Sequence, residues 1–244
     1  MLRLDFVTLF PEAIQAGLGF SILDRAATQG LASYHCVNPR DFTTDARRTV
    51  DDKPFGGSAG MLLMAEPVAQ ALESLPIAED TAVVFPDPTG RRFVQADAEN
   101  LAKRKHVVFV CGHYEGIDER IFETFGTHKF SLGDFVLTNG EFPAIIMADA
   151  IVRVVPGVLG SSDSLEQDSF GDGLLSSPQY TRPAEWRGKG VPEVLTSGDH
   201  ERIRRWRRAE SLRHTLATRP DLLASAQLSK EDLQLLKSFD DDLD

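Results

Sequence analysis

FVCGHYEGIDERIFETFGTHKFSLGDFVLTNGEFP, the stretch from Phe109 to Pro143, contains two glycine-punctuated turns. The first is Cys111-Gly112-His113-Tyr114-Glu115-Gly116, and the second runs from Leu132-Gly133-Asp134 through Asn139-Gly140-Glu141. Each follows an apolar run that reads as a strand, and each precedes a segment with helical patterning. Two such turns in one sheet gather backbone amides and carbonyls at one edge, where a small ligand can sit.

Upstream of this stretch, strand and helix patterns alternate. Leu2, Leu4 and Phe6 alternate with polar residues as in a strand. Pro11 opens a helix expected to run to about Thr28, with Gly30 as its stop. A second strand is expected over Leu31–Val37. Residues 38–58 read as a long polar loop with few core anchors, ending in Gly56-Gly57-Ser58-Ala59-Gly60-Met61. A loop of that length inside a compact domain is usually functional or mobile. Pro67–Leu75 is a helix, and Thr81–Phe85 is a strand ended by the turn Pro86-Asp87-Pro88-Thr89-Gly90. Gln95–Arg104 is a helix, and His106–Cys111 is a strand apolar throughout, as in a parallel sheet covered on both faces. Ile117–Phe125 reads as a helix, Lys129–Ser131 as a short strand and Glu141–Val155 as a helix. The alternation predicts an α/β domain with a mostly parallel sheet over residues 1–160.

Residues 161–176 are rich in Ser, Asp and Gly and read as a flexible interdomain linker. Residues 177–244 show no strand signals and are expected to be a small all-α domain. Ser197 or Asp199 can cap a helix that carries Ile203, Trp206, Ala209, Leu212 and Leu216 on one stripe. Further helix is expected over Leu222–Leu236, followed by a frayed acidic tail.

The 244 residues carry a net charge of −11, which taken alone argues against a nucleic-acid partner. The distribution argues otherwise, because Arg182–Arg219 holds ten Lys and Arg against five Asp and Glu. Arg202, Arg204, Arg205, Arg207 and Arg208 surround Trp206. This is either a phosphate-contacting face or a solvated charged one. The two cysteines, Cys36 and Cys111, exclude a disulfide framework or a thiolate metal cluster and read as reduced core residues. No apolar leader is visible at the N-terminus. The apolar run Phe142–Leu159 is interrupted by Asp149, Arg153 and Pro156, so a buried helix is expected rather than a membrane span, in a cytoplasmic protein. No GxxxxGK[ST], no GxGxxG after a strand, no HExxH and no GxSxG occurs, and no metal-ligating set is apparent.

Several strings together resemble one family. They are Lys53-Pro54-Phe55-Gly56-Gly57-Ser58-Ala59-Gly60-Met61, Val110 through Arg120, Leu132 through Leu137, and Glu166-Gln167-Asp168-Ser169-Phe170. Ser177-Pro178-Gln179-Tyr180-Thr181-Arg182-Pro183 and Gly198-Asp199-His200, followed by Ile203-Arg204-Arg205-Trp206-Arg207, complete the set. In this order, over nearly the whole chain, they resemble the bacterial tRNA (guanine-N1)-methyltransferases of the SPOUT superfamily. The chain departs from the family pattern at Asn139, where a glycine is expected, at Ser58-Ala59 and at His113. Asn can adopt a left-handed backbone, so the turn is expected to survive there.

The resemblance implies a trefoil-knotted α/β domain, a helical tRNA-binding domain, and a homodimer with active sites at the subunit interface. It implies methyl transfer from S-adenosylmethionine to N1 of guanine at tRNA position 37, just 3′ of the anticodon, and a Mg²⁺ requirement. Carried over by position, the cofactor contacts are Pro88, Gly112, Tyr114, Glu115, Leu132, Gly133, Asp134, Phe135, Val136, Leu137 and Gly140. The RNA contacts fall on Arg204, Arg205, Arg207 and Arg208. Methylation at N1 needs a base for its proton and a cation for the charge that moves to O6. The resemblance places these roles on Asp168 and Arg153. The glycines could merely make tight turns, Asp168 could be a solvated loop residue or a cap, and Arg153 could pair with Asp149 at i,i+4. A related knotted ribose methyltransferase and a non-catalytic RNA-binding module are the competing functions.

Overall fold

The sequence places apolar residues on both faces of its strands, and the fold covers both. In the computed structural model, which describes residues 1–160 and 168–241, five strands form one sheet. They are β1 (Leu2–Val7), β2 (Ala32–Val37), β5 (Ala82–Arg92), β6 (His106–Val110) and β7 (His128–Ser131). The order is β2-β1-β6-β5-β7 and every pairing is parallel. Strand period divides the residues between two cores. Leu4, Phe6, Val84, Val107 and Phe109 face one core. That core is roofed by α1 (Pro11–Leu18), α2 (Ser21–Thr28), α4 (Gln95–Ala102) and α6 (Glu141–Arg153). Val7, Val83, Phe85, Val108 and Val110 face the other, covered by α3 (Ala65–Glu73) and α5 (Glu119–Phe125). Fully enclosed side chains such as Phe6, Phe109 and Phe130 each contribute roughly 2–3 kcal/mol of transfer free energy.

Several expectations need correction. The helix expected over Pro11–Thr28 is two helices. The N–H of Gly19 closes α1 on the carbonyl of Gln15 at 2.9 Å, and Ser21 enters α2 at φ +55°. One polar position of β1 is not solvent-facing: Asp5 is fully buried, and accepts from Arg3 Nε at 2.9 Å and from His106 Nε2 at 2.9 Å. Strand β5 does not end at Phe85. Pro86 and Arg91 both pair with Phe130, so residues 87–90 loop out of the strand and the chain then rejoins it. Gly90 permits this, since a Cβ there would lie 2.5 Å from the Phe130 amide nitrogen. The long loop has anchors: a 3₁₀ turn at Pro39–Phe42, fully buried Val50, and β3 (Asp51–Asp52) paired antiparallel with β4 (Leu62–Leu63).

The chain divides into two compact units, Met1–Gly160 and Ser161–Asp244. In the second unit α7 (Glu193–Thr196) precedes α8 (His200–Thr218), which Asp199 caps by accepting from the Arg202 amide at 3.1 Å. Helices α9 (Pro220–Leu223) and α10 (Lys230–Asp241) follow. Their core centres on Leu174 and Leu212, with Ala209, Leu223, Ala226, Leu228, Leu235 and Leu236 packed around it. Contrary to the sequence expectation, a two-stranded hairpin occurs here, β8 (Glu185–Trp186) with β9 (Lys189–Gly190). Arg187 and Gly188 turn it, both with positive φ. Strands of two residues are too short to leave a period-2 signal. Among the described residues no helix is long and apolar enough to cross a membrane.

Candidate active site

Parallel strands deliver their following loops to one edge, and a ligand site is expected outside their carboxyl ends. Here β5, β6 and β7 deliver three segments that wall one cavity of about 330 Å³, a volume within the range of small-molecule sites. The β5 excursion contributes Pro86, Asp87, Pro88 and Thr89. The turn after β6 contributes Gly112 through Gly116. The β7 end and the turn after it contribute Phe130, Ser131, Leu132, Phe135 through Gly140, and Pro143.

Of the residues expected to bind cofactor, Pro88, Gly112, Tyr114, Glu115, Leu132, Phe135, Val136, Leu137 and Gly140 line this cavity. Gly133 and Asp134 do not. Gly133 instead shapes the turn, accepting from the Phe135 amide at 2.9 Å and from Ser131 Oγ at 2.9 Å. Asp134 is almost fully exposed, 3.6 Å from Arg92. The wall offers two kinds of contact. Phe135, Val136, Leu137 and Tyr114 expose apolar surface, while the main-chain groups of Val136, Leu137 and Thr138 take part in no hydrogen bond among the described residues. An apolar edge bearing free donors and acceptors suits a flat heterocycle.

Three local features hold the wall. The N–H of Gly140 donates to the Gly112 carbonyl at 2.8 Å, joining the two turns. The Glu115 amide donates to the Met61 carbonyl at 2.9 Å, which seats the end of the glycine-rich loop on the wall. Gly60 lies against that contact, since a Cβ on it would come within 2.5 Å of the Glu115 side chain. Tyr114 is held at φ +60° with its ring half exposed, an unfavourable backbone for a bulky residue. The turn at Asn139 survives without a left-handed backbone there. Asn139 Oδ1 lies 3.5 Å from the Phe142 amide at the start of α6.

One residue that ties the cavity's surrounding segments together escaped the sequence reading. Glu141 is 2% exposed at the first position of α6. It accepts from Thr8 Oγ1 at 2.6 Å and from His113 Nε2 at 3.0 Å. It thereby ties the loop after β1 and the turn after β6 to the helix that begins at the cavity. This gives His113 a role as a hydrogen-bond donor to a buried carboxylate. A lone Glu beside Gly140 carries no sequence signal of burial, because its partners lie 28 and 133 residues away.

The remaining expected residues lie elsewhere. Arg153 is the last residue of α6 and does not line the cavity. Asp168 belongs to the second unit and lines a separate cavity of about 320 Å³ there, with His200, Arg204, Arg207 and Arg208. Residues 168–176, whose composition reads as linker, are pinned to α8. The Leu175 amide donates to Thr215 Oγ1 at 2.9 Å, and the Ser176 amide to Ser169 Oγ at 2.9 Å. Of the four arginines expected on RNA, Arg204 pairs with Glu201 and Arg205 with Glu231, both at the surface. Arg207 has no carboxylate within 4 Å among the described residues. Arg208 is committed to two carboxylates, Asp232 and Asp172. The thiols offer no nucleophile: burial pushes Cys36 up to about 11 and holds buried Cys111 well above its ordinary value. Among the described residues no three His, Cys, Asp or Glu side chains converge on a point that could hold a metal ion, so they supply no protein cage for Mg²⁺.

An all-parallel sheet with a loop-walled cavity at its carboxyl edge, followed by a helical unit whose longest helix is rich in arginine, defines an α/β protein with a cavity that suits a small heterocycle. The chain belongs to the tRNA (guanine-1)-methyltransferase TrmD family, whose model matches residues 2–225. That family has the SPOUT fold. The chain is 49% identical over 243 residues to a tRNA (guanine-N(1)-)-methyltransferase of Dictyoglomus turgidum, covering 100% of this chain and 98% of that one. It is 51% identical over 250 residues to the protein of the same name from Limosilactobacillus fermentum, with 100% and 98% covered. The Bacillus licheniformis protein of that name is 48% identical, with 98% and 99% covered.

Proposed function

We propose that this chain transfers a methyl group from S-adenosylmethionine to N1 of guanine at tRNA position 37, as a homodimer in the cytoplasm. The observation that carries this reading is the cavity at the carboxyl edge of the sheet, walled by the two turns that bear the family's motifs. The residues present fit the donor. Leu132, Phe135, Val136, Leu137 and Pro88 provide apolar contact, the free main-chain groups of 136–138 can read a heterocycle edge, and Glu115 can face a cationic group. Bound there, S-adenosylmethionine supplies an electrophilic methyl group on a sulfonium. The knot that the family resemblance implies would involve residues 109–137, and it stands as part of this proposal.

The chain's own groups would perform the proton and charge work. The Asp168 carboxylate takes the N1 proton of guanine, freeing the N1 lone pair for the methyl carbon. The Arg153 guanidinium faces O6, where the negative charge collects. Arg153 stands at the far end of α6 from Gly140, a helix of 13 residues and so roughly 20 Å along the axis. That separation favours a site completed across a dimer, with Asp168 and Arg153 contributed by different subunits. Arg204, Arg205 and Arg207 then contact phosphates of the tRNA.

The test is methyl transfer from labelled S-adenosylmethionine to an unmodified tRNA transcript bearing G37. Transfer that vanishes when G37 is replaced by adenine supports the reading. Calorimetric binding of S-adenosylhomocysteine without any transfer overturns it, and tRNA binding with neither cofactor binding nor transfer favours a non-catalytic RNA-binding module.

A further inference from the structure

Arg208 stands within the basic run of α8, yet its surroundings are acidic. Its Nε and Nη2 donate to the two oxygens of Asp232 at 2.7 and 2.9 Å, and its Nη1 donates to Asp172. One guanidinium therefore meets two carboxylates, and the cluster has a formal charge of −1. Asp232 is itself buried and also accepts from the Ser229 amide at 2.8 Å. Neighbouring Arg207 lines the same cavity but is exposed and has no carboxylate within 4 Å among the described residues.

What Arg208 holds is the segment that carries Asp168. Asp172 Oδ1 accepts from the Leu174 amide at 3.2 Å, and Leu174 is buried against Leu212 of α8. Ser211 and Thr215 of α8 bond the Leu175 carbonyl and amide. Ser176 then returns to Ser169, the residue after Asp168, with its amide 2.9 Å from Ser169 Oγ. Asp168 and Arg208 line the same cavity. The loop 168–176 is thus closed on itself at one end and clamped at the other.

We propose that Arg208 is a positioning residue rather than an RNA contact: through Asp172 and Asp232 it fixes the loop that presents the Asp168 carboxylate. This rests on the reading of Asp168 as the base. A bidentate, planar pair suits such a task, because it fixes orientation as well as distance. A displaced general base costs turnover and leaves substrate binding intact.

The experiment is steady-state kinetics on an unmodified tRNA transcript across a salt series, with D168N, R207A, R208Q, R208K and D172N. D172N removes a negative charge from an exposed loop position, so it folds if the rest of the clamp holds, and R208K keeps the charge without the planar fork. Positioning predicts that R208Q, R208K and D172N each lose roughly 100-fold in kcat, with KM for tRNA within about twofold and an unchanged salt slope. R207A should instead raise KM and shallow the salt slope by about one phosphate contact. A phosphate-contact role for Arg208 predicts the reverse: R208Q raises KM, R208K is nearly normal, and D172N tightens tRNA binding. That pattern, or unchanged kcat in D172N and R208K, overturns the proposal. An active D168N overturns the base reading and the positioning role with it, while an inactive D168N with a fully active R208K overturns only the latter.

Discussion

Gly140 and Gly112 meet backbone to backbone. The Gly140 amide donates to the Gly112 carbonyl at 2.8 Å, and a Cβ built on Gly140 would lie 2.6 Å from the Gly112 nitrogen and 2.8 Å from Cys111 Cα. The turns after β6 and β7 are therefore in direct contact, and Gly140 is needed for closeness and not for backbone freedom, because its φ is −86°.

The two glycines should respond differently to the same change. Gly140→Ala must push backbone against backbone, and we expect a loss of roughly 1–3 kcal/mol in unfolding free energy. A Cβ on Gly112 meets only the Ile117 side chain, at 3.6 Å, an ordinary contact. Gly112→Ala should keep its melting temperature close to that of the parent. Thermal and urea denaturation of both variants checks this.

Tyr114 should trade stability for binding. At φ +60° it occupies a backbone region that costs a non-glycine residue about 1 kcal/mol or more. Tyr114→Gly relieves that cost and removes a ring from the cavity wall. The expected outcome is an equal or higher melting temperature with weaker S-adenosylhomocysteine binding in calorimetry. A variant that is destabilised and binds normally contradicts this role.

The clamp on Arg208 makes part of the stability pH-dependent. Hydrogen bonds from Arg208 pull the Asp232 carboxyl down to about 2 from an ordinary 3.8. A carboxyl depressed on folding stabilises the fold above its unfolded value, and the contribution disappears as pH falls through the folded one. Asp232→Asn should therefore cost about 2 kcal/mol at pH 7, and the difference from the parent should shrink between about pH 4 and pH 2. Urea unfolding at pH 7, 5, 3.5 and 2.5 measures it. A difference that grows on acidification is the wrong sign.

Mixing tests the shared site. Arg153→Ala and Asp168→Ala homodimers should each be nearly inactive. If the two residues come from different subunits, heterodimers carrying one of each hold one intact site of two, and tagged heterodimers should recover about half the parent activity. Purified heterodimers without activity contradict a site built by residues from different chains.

The strand–helix alternation was legible because β6 is apolar on both faces and the turns after β6 and β7 carry glycines. The break between α1 and α2, the hairpin at Glu185–Gly190 and the excursion inside β5 were not. Each is set by a contact or a backbone angle at one or two residues, such as Gly90 against the Phe130 amide, and leaves no periodic trace. Which residues line the cavity was legible where the motif is contiguous, at Gly112–Glu115 and Phe135–Leu137. Glu141 was missed because its burial depends on Thr8 and His113, which only the fold brings to it. Arg208 read as one of a row of cations because its two carboxylates lie 36 and 24 residues away.

The central claim is the chemistry at one atom, and mapping the methyl group reads that atom directly. An unmodified tRNA transcript with G37 is incubated with the enzyme and S-adenosylmethionine, digested to nucleosides and analysed by mass spectrometry against standards. The account predicts N1-methylguanosine, confined to the fragment that contains position 37 and absent with Asp168→Asn. A methyl group on a ribose 2′-oxygen, or on guanine at another position, would contradict it.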